Sequence, residues 1–208
     1  MGHPFKHFRT ITKHRNRVIY NAFHMGIGFH ALGHDLSKYG YTEFHNSSIN
    51  YTGTCSPVFL DRLKHNYYSI VCQHHTKRNP HHWEYWTDFF MGRIITKNMP
   101  YKYATEYVCD VLSAAYVYNP KGFKPDSALN YFNGKVGHYY MTKATIEYIT
   151  WCFEVYSKVG FKGLKKKITK AKYDEIIKKY PAVEIYENTL IDCPLPDINE
   201  LRKKYNVQ

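Results

Sequence analysis

Gly33-His34-Asp35-Leu36-Ser37-Lys38 is the stretch on which the reading of this chain turns. An imidazole nitrogen and a carboxylate oxygen on adjacent residues can both reach one divalent metal without help from another segment. On a helical backbone Lys38 lies one turn beyond His34, so its ammonium can meet an anion held at that metal. A His-Asp dipeptide in a solvated turn is the plain alternative, and the distribution of the other histidines decides between the two. Twelve of the thirteen histidines lie at or before His82, and none follows His138.

In chain order the informative groups are His14, His34-Asp35, His74-His75, His81-His82 and Asp110, each on or beside an expected helix. A helical pattern begins at Lys13, where His14, Val18, Met25, Phe29 and Leu32 recur at intervals of three, four and seven. His14 lies on that apolar stripe, as a metal ligand or as a hydrogen-bonded core histidine. Residues 39–57, rich in Ser, Thr, Asn and Gly, read as a loop, and a second helix is expected over 57–77. Asn79-Pro80 reads as an N-cap and first helical residue opening a helix at His81-His82-Trp83-Glu84-Tyr85-Trp86. Pro100 suits a helix start for 101–118, in which Asp110 adjoins the apolar line of Ala104, Val108, Val111, Leu112 and Ala115. A carboxylate buried there needs a cation or a hydrogen-bond partner, while on the solvent side it needs neither. Residues 119–137 read as a connection, and 142–159 as a further amphipathic helix. With no short alternating strand pattern, the expected class is all-α.

The 208 residues, 44% of them hydrophobic, are enough for one sizeable core. The mean hydropathy of −0.54 argues against a membrane span. So does the lack of any apolar run of about 18 residues, the least that a spanning helix needs. Met1-Gly2-His3-Pro4-Phe5-Lys6 has no apolar h-region, and Lys6 stands where a myristoylation signal needs Ser or Thr. Five scattered cysteines without a Cys-x-x-Cys spacing fit reduced thiols and a cytoplasmic location. The charge of +12 suggests anionic partners such as nucleotides or nucleic acid. Part of it is local, with nine lysines against two acids between Lys158 and Lys179. The expected organisation is a loosely held basic lead-in over 1–12, a metal-binding helical domain over 13–160 and a basic appendage over 161–208. That appendage, Pro-rich around Cys193-Pro194-Leu195-Pro196, is expected to be dispensable for chemistry.

The motifs His-Asp-Leu-Ser-Lys (34–38), His-His-x-x-x-Asn-x-His-His-Trp-Glu-Tyr-Trp (74–86), Met-Pro (99–100) and Cys-Asp (109–110) resemble the HD-domain superfamily. Within it they look like a small uncharacterised family of bacterial and phage genomes. The resemblance covers about residues 13–165 and implies an HD-like helical bundle whose metal is held by His14, His34, Asp35 and Asp110. A partial similarity to the HD-GYP phosphodiesterases implies a second ion on His74 and His75. The Gly-Tyr-Pro that follows the pair there is replaced by Asn79-Pro80-His81-His82, against cyclic di-GMP specificity. Either His81 or His82 can complete the second site, and His82 is preferred because it adjoins the aromatic run.

The expected ligands are therefore His14, His34, Asp35, His74, His75, His82 and Asp110, holding one or two ions of Mn, Fe, Zn, Ni or Co. Lys38, Arg78 and Asp35 are the expected catalytic groups, with Lys38 and Arg78 contacting phosphate and Trp83, Tyr85 or Trp86 stacking on a base. The same three rings can equally be core aromatics. The expected activity is metal-assisted hydrolysis of a phosphoester in a nucleotide or cyclic nucleotide. The rivals are a di-iron oxygenase of the HD fold and a nucleic-acid-binding module with a structural metal.

Overall fold

In the computed structural model, which describes residues 3–53, 55–187 and 195–207, the first helix is α1, Pro4–His24. Pro4 occupies its first turn, where a missing N–H costs nothing and a fixed φ helps. His7, Ile11, His14, Val18 and Ala22 form one buried stripe at spacings of three and four. The segment 1–12 is thus no loose lead-in, because Lys6 and Arg9 are the exposed outer face of an amphipathic helix. Gly26 turns the chain in the left-handed region (φ +75°), and a single turn follows, α2 at Gly28–Ala31.

Residues 39–57, expected as loop, contain the helix α3, Tyr41–Ile49. The helix expected over 57–77 is two, α4 at Pro57–Lys64 and α5 at Ile70–Arg78. The break falls where Asn66 and Tyr67 both take positive φ, and the Ser69 hydroxyl caps α5 by accepting from Cys72 N at 3.1 Å. Asn79 does not open a new helix. Its N–H donates to His75 O and closes α5, and Trp83–Trp86 forms only one 3₁₀ turn.

Two strands follow, β1 at Thr87–Phe90 and β2 at Arg93–Lys97, joined by Met91-Gly92 with positive φ at both positions. The expectation of no strands fails here because the hairpin lies mostly on the surface and lacks an alternating apolar face. The class is nevertheless all-α, with this small antiparallel sheet attached to a helical body.

Helix α6, Tyr101–Tyr118, has the expected span and lies along α1, with Val108, Cys109 and Leu112 in the core. Asn21 Nδ2 of α1 donates to Ser113 Oγ of α6 at 2.9 Å, fixing their register. The expected connection at 119–137 holds a short helix, α7 at Ser127–Asn133, which buries Ala128 and Phe132. Helix α8, Lys143–Val159, begins at a Thr142 cap.

The expected appendage is built into the same core. Leu164 and, on α9 (Lys166–Ile177), Tyr173 and Ile176 are buried among residues of α1, α6 and α8. Tyr173 Oη donates to Met99 O at 2.8 Å, and the Tyr101 and Thr169 hydroxyls pair at 2.8 Å. The lysine run is the solvent face of α9, so no domain boundary falls near 160. Strand β3, Val183–Tyr186, extends the sheet by pairing with β2 (Ile95 opposite Ile185). Helix α10, Ile198–Tyr205, lies against α4, where Arg202 Nε donates to Leu63 O at 2.7 Å. Of the sequence features above, Met1, Gly2, Cys193 and Pro194 lie outside the described residues. No helix among the described residues is long and apolar enough to cross a membrane.

Candidate metal centre

The His-Asp pair sits just past α2, where Asp35 adopts a left-handed conformation (φ 54°, ψ 25°) and starts the 3₁₀ turn Leu36–Tyr39. Aspartate tolerates that region better than most residues. The bend brings the Asp35 carboxylate back beside its own neighbour, with Oδ2 3.2 Å from His34 Nε2. Lys38, one short turn on, places its ammonium on the same Oδ2.

Four elements complete the centre. On α1, His14 directs Nε2 to Asp110 Oδ1 of α6 at 2.7 Å, and His34 Nε2 stands 3.8 Å from that oxygen. The other Asp35 oxygen, Oδ1, faces His75 Nε2 of α5 at 3.3 Å and His81 Nε2 at 3.4 Å. His82 Nε2 lies 2.9 Å from His75 Nε2. Two groups result, His14/His34/Asp110 and Asp35/His75/His81/His82, each with its ligand atoms within 4.8 Å of one another. Asp35 turns one oxygen toward each.

The donor set fits a divalent ion. His34 Nε2, Asp35 Oδ1 and His81 Nε2 are buried and have no hydrogen-bond partner, although desolvating such atoms costs free energy. Their separations of 3.2–3.4 Å from facing ligand atoms resemble the roughly 3.4 Å between neighbouring ligands of a tetrahedral ion with bonds near 2.1 Å. Imidazole nitrogens with a few carboxylates suit zinc, iron, manganese, nickel or cobalt.

The charges are divided between the two groups. Burial opposes the charged form of His34, but Asp35, Glu106 and Asp110 outweigh it and raise its pKa to about 10. Burial also works against ionised Asp35 and Asp110, yet the histidines around them, joined by Lys38 at Asp35, hold both carboxyls well below their usual range. Asp35 and Asp110 likewise overcome burial at Lys38 and hold its pKa above the ordinary lysine value. His81 and His82 go the other way. Burial and neighbouring imidazoles lower both, His82 to about 3, so these two rings are neutral donors.

The sequence-derived set is met unevenly. His14, His34, Asp35, His75, His82 and Asp110 converge, and His81, left open by the sequence, joins them from the buried side. His74 does not converge. Adjacent residues on a helix point about 100° apart, and with His75 turned inward His74 meets Glu43 on α3 instead, Nδ1 to Oε1 at 2.7 Å. Arg78 is exposed at the last turn of α5, with no hydrogen bond or ion pair to the cluster among the described residues. Trp83 stacks on Tyr139 (5.4 Å between centroids), and Trp86 Nε1 donates to Pro80 O at 2.7 Å, both rings packing on the core. They anchor the turn that carries His81 and His82, and only Tyr85 of the three expected stacking rings is exposed.

Two buried carboxylates were not anticipated. Glu106 precedes Asp110 by one turn of α6, a spacing that could have flagged it, and meets His34 Nδ1 at 2.8 Å. Glu43 gave no signal, since its segment reads as loop.

The centre opens along one edge, where Asp110, His82 and Lys38 have side chains 17%, 21% and 31% exposed. Tyr118 stands at that edge, its ring 6.4 Å from His14. A groove of about 580 Å³ runs along a different face of α5, past Arg62, Cys72, Lys77, Glu84 and Tyr140, and is lined by none of the converging residues.

No curated protein and no solved structure matches the chain. Residues 3–170 match the sequence profile of the Family of unknown function (DUF5662), through α1 to α8 and into α9, and the chain belongs to that family.

Proposed function

We propose that the protein is a metal-dependent phosphohydrolase of HD-like architecture, acting on a phosphoester of a nucleotide or cyclic nucleotide. The observation that carries this reading is the shared carboxylate. Asp35 faces two histidine-rich groups with its two oxygens while the Lys38 ammonium caps its outer side at the open edge. One or two divalent ions (Mn, Fe, Zn, Ni or Co) held there supply Lewis acidity and activate water at neutral pH. The chain's own residues do the rest. His14, His34, Asp35 and Asp110 hold one position, and Asp35, His75, His81 and His82 the other. Lys38 offsets charge building on a non-bridging phosphoryl oxygen, being cationic at any working pH. Buried imidazoles and packed aromatics close the interior side, so among the described residues the Asp110–His82–Lys38 edge is where water and substrate would enter.

The charge of +12 favours an anionic substrate. The free thiols Cys55, Cys72, Cys109 and Cys152 support a reducing, cytoplasmic setting. A second reading follows from the nitrogen-rich group of three histidines and one carboxylate, which suits iron as well as zinc and would serve a di-iron oxygenase. Nucleic-acid binding through the exposed lysines is a third, marked by salt-dependent binding without turnover.

The deciding experiment is metal analysis of the purified protein, followed by a screen against nucleotides, cyclic dinucleotides and an aryl phosphodiester. Stoichiometric metal with phosphoester turnover is the expected result. Metal-dependent O₂ consumption without phosphate release would replace the reading by the oxygenase, and protein free of bound metal and inactive on every substrate would overturn it.

A further inference from the structure

The histidines of the centre are gripped from behind as well as gathered in front. Glu43, buried on α3, spans two neighbours of α5, with Oε2 2.8 Å from His75 Nδ1 and Oε1 2.7 Å from His74 Nδ1. An ionised carboxylate only accepts, so both Nδ1 atoms donate. With Nδ1–H committed to Glu43, His75 turns Nε2 toward Asp35 Oδ1 and His82. The Asn79 amide steadies the same corner by donating to His75 O at 2.8 Å and to Ser37 Oγ at 2.9 Å.

The other half of the centre repeats the arrangement with a different helix. Glu106 of α6 is buried, accepts from His34 Nδ1 at 2.8 Å and faces His30 Nε2 at 3.0 Å with its second oxygen. His34 Nε2 is thereby the nitrogen turned to Asp35 and Asp110. Glu106 also comes within 3.6 Å of His81 Nδ1. Glu106, His34 and His81 could themselves surround an ion. The 2.8 Å between Glu106 and His34 is a hydrogen-bond distance, however. Glu106 meets Nδ1 of both rings, and it is their Nε2 atoms that lack a hydrogen-bond partner and face Asp35.

We infer that Glu43 and Glu106 are positioning residues, one for each half of the centre, fixing the inward Nε2 of His75 and of His34 by holding Nδ1–H from the side away from the metal. The inference rests on the metal-centre reading and deepens it. It makes the two halves separately adjustable, because the carboxylates sit on different helices and share no histidine in these hydrogen bonds. Carboxylates that orient ligating histidines contribute roughly 10- to 100-fold to metal affinity.

The test is Co²⁺ or Zn²⁺ titration of the full-length wild type and of the variants Glu43→Ala, Glu43→Gln, Glu106→Ala and Glu106→Gln, with folding checked by circular dichroism. Each Ala variant is expected to weaken one binding step by about 10- to 100-fold and the other by clearly less. Each Gln variant keeps an oxygen to accept from Nδ1–H, holds the fold and recovers most of the lost affinity. Folded Ala variants with both binding steps intact would overturn the inference while leaving the metal centre standing. Gln variants as weak as their Ala counterparts would overturn it differently, by making the carboxylates ligands. Wild type that takes up no ion would sink the metal reading, and this inference with it.

Discussion

Deleting residues 161–208 tests whether the basic C-terminal segment is an accessory or part of the core. The deletion removes the side chains of Leu164 and Ile176, both fully buried, and Tyr173, 8% exposed. Burying a large apolar side chain contributes about 1.5–3 kcal/mol, so these three account for roughly 5–9 kcal/mol. It also leaves Met99 O and the Tyr101 hydroxyl without their partners on α9. Native domains are stable by about 5–15 kcal/mol, which makes the loss comparable to the whole. The fragment 1–160 is therefore expected to show no cooperative thermal transition by circular dichroism. A milder version acts on the intact chain, where Ile176→Ala should cost about 2–5 kcal/mol. That corresponds to a Tm lower by about 4–20 °C for a chain of this size. A 1–160 fragment melting cooperatively within a few degrees of the full chain, or an Ile176→Ala protein with unchanged Tm, would refute the assignment of α9 to the core.

Replacement of Lys38 by Ala should leave bound metal unchanged, since an ammonium is no ligand, and lower phosphoester kcat by about 10²-fold, on the order of 3 kcal/mol; undiminished turnover would remove Lys38 from the chemistry. His7, lowered to about pKa 4 by burial and by Lys38, takes up its proton in the unfolded chain first, so stability present above pH 6.5 is lost as pH falls toward 4, by at most about 3 kcal/mol. His7→Phe should lose less stability than wild type between pH 7 and 4.5 in urea unfolding, and equal losses would mean that His7 is not the group responsible.

Spacing carried the reading furthest where burial was one-sided and the helix regular. His14 fell on the α1 stripe, Pro100 at the start of α6 and Thr142 at the start of α8, and all three stand where the periodicity puts them. His34, Asp35, His75, His82 and Asp110 were visible as metal-ligand types beside helices, and six of the seven expected ligands converge. The failures have physical causes. Charge was read as a loose lead-in at the start of the chain and as an accessory segment at its end, although Lys6, Arg9 and the lysines of α9 are the wet faces of helices whose other faces are buried. Local composition hid α3, because a helix with three serines and asparagines in a row (Asn46-Ser47-Ser48) looks like loop while Glu43 anchors it from within. His74 was misjudged because a His-His pair suggests joint ligation, whereas at α5 the His75 ring reaches Asp35 and His82 and the His74 ring stops at Glu43.

The contact between His14 and Asp110 joins α1 to α6 across 96 positions of chain. During synthesis the amino-terminal ligand therefore leaves the ribosome well before its counterpart exists, and chains grow at only about 5–20 residues per second. For several seconds the nascent chain carries a cluster of histidines and Asp35 without the helix that sets their spacing. Any ion caught in that interval is held by a flexible, incomplete ligand set, which selects for local abundance more than for geometry. Final selection waits until α6 docks on α1 and α9 closes over it. If the centre is a metal site, as proposed, the choice of ion would thus be made after translation, by exchange at the Asp110–His82–Lys38 edge.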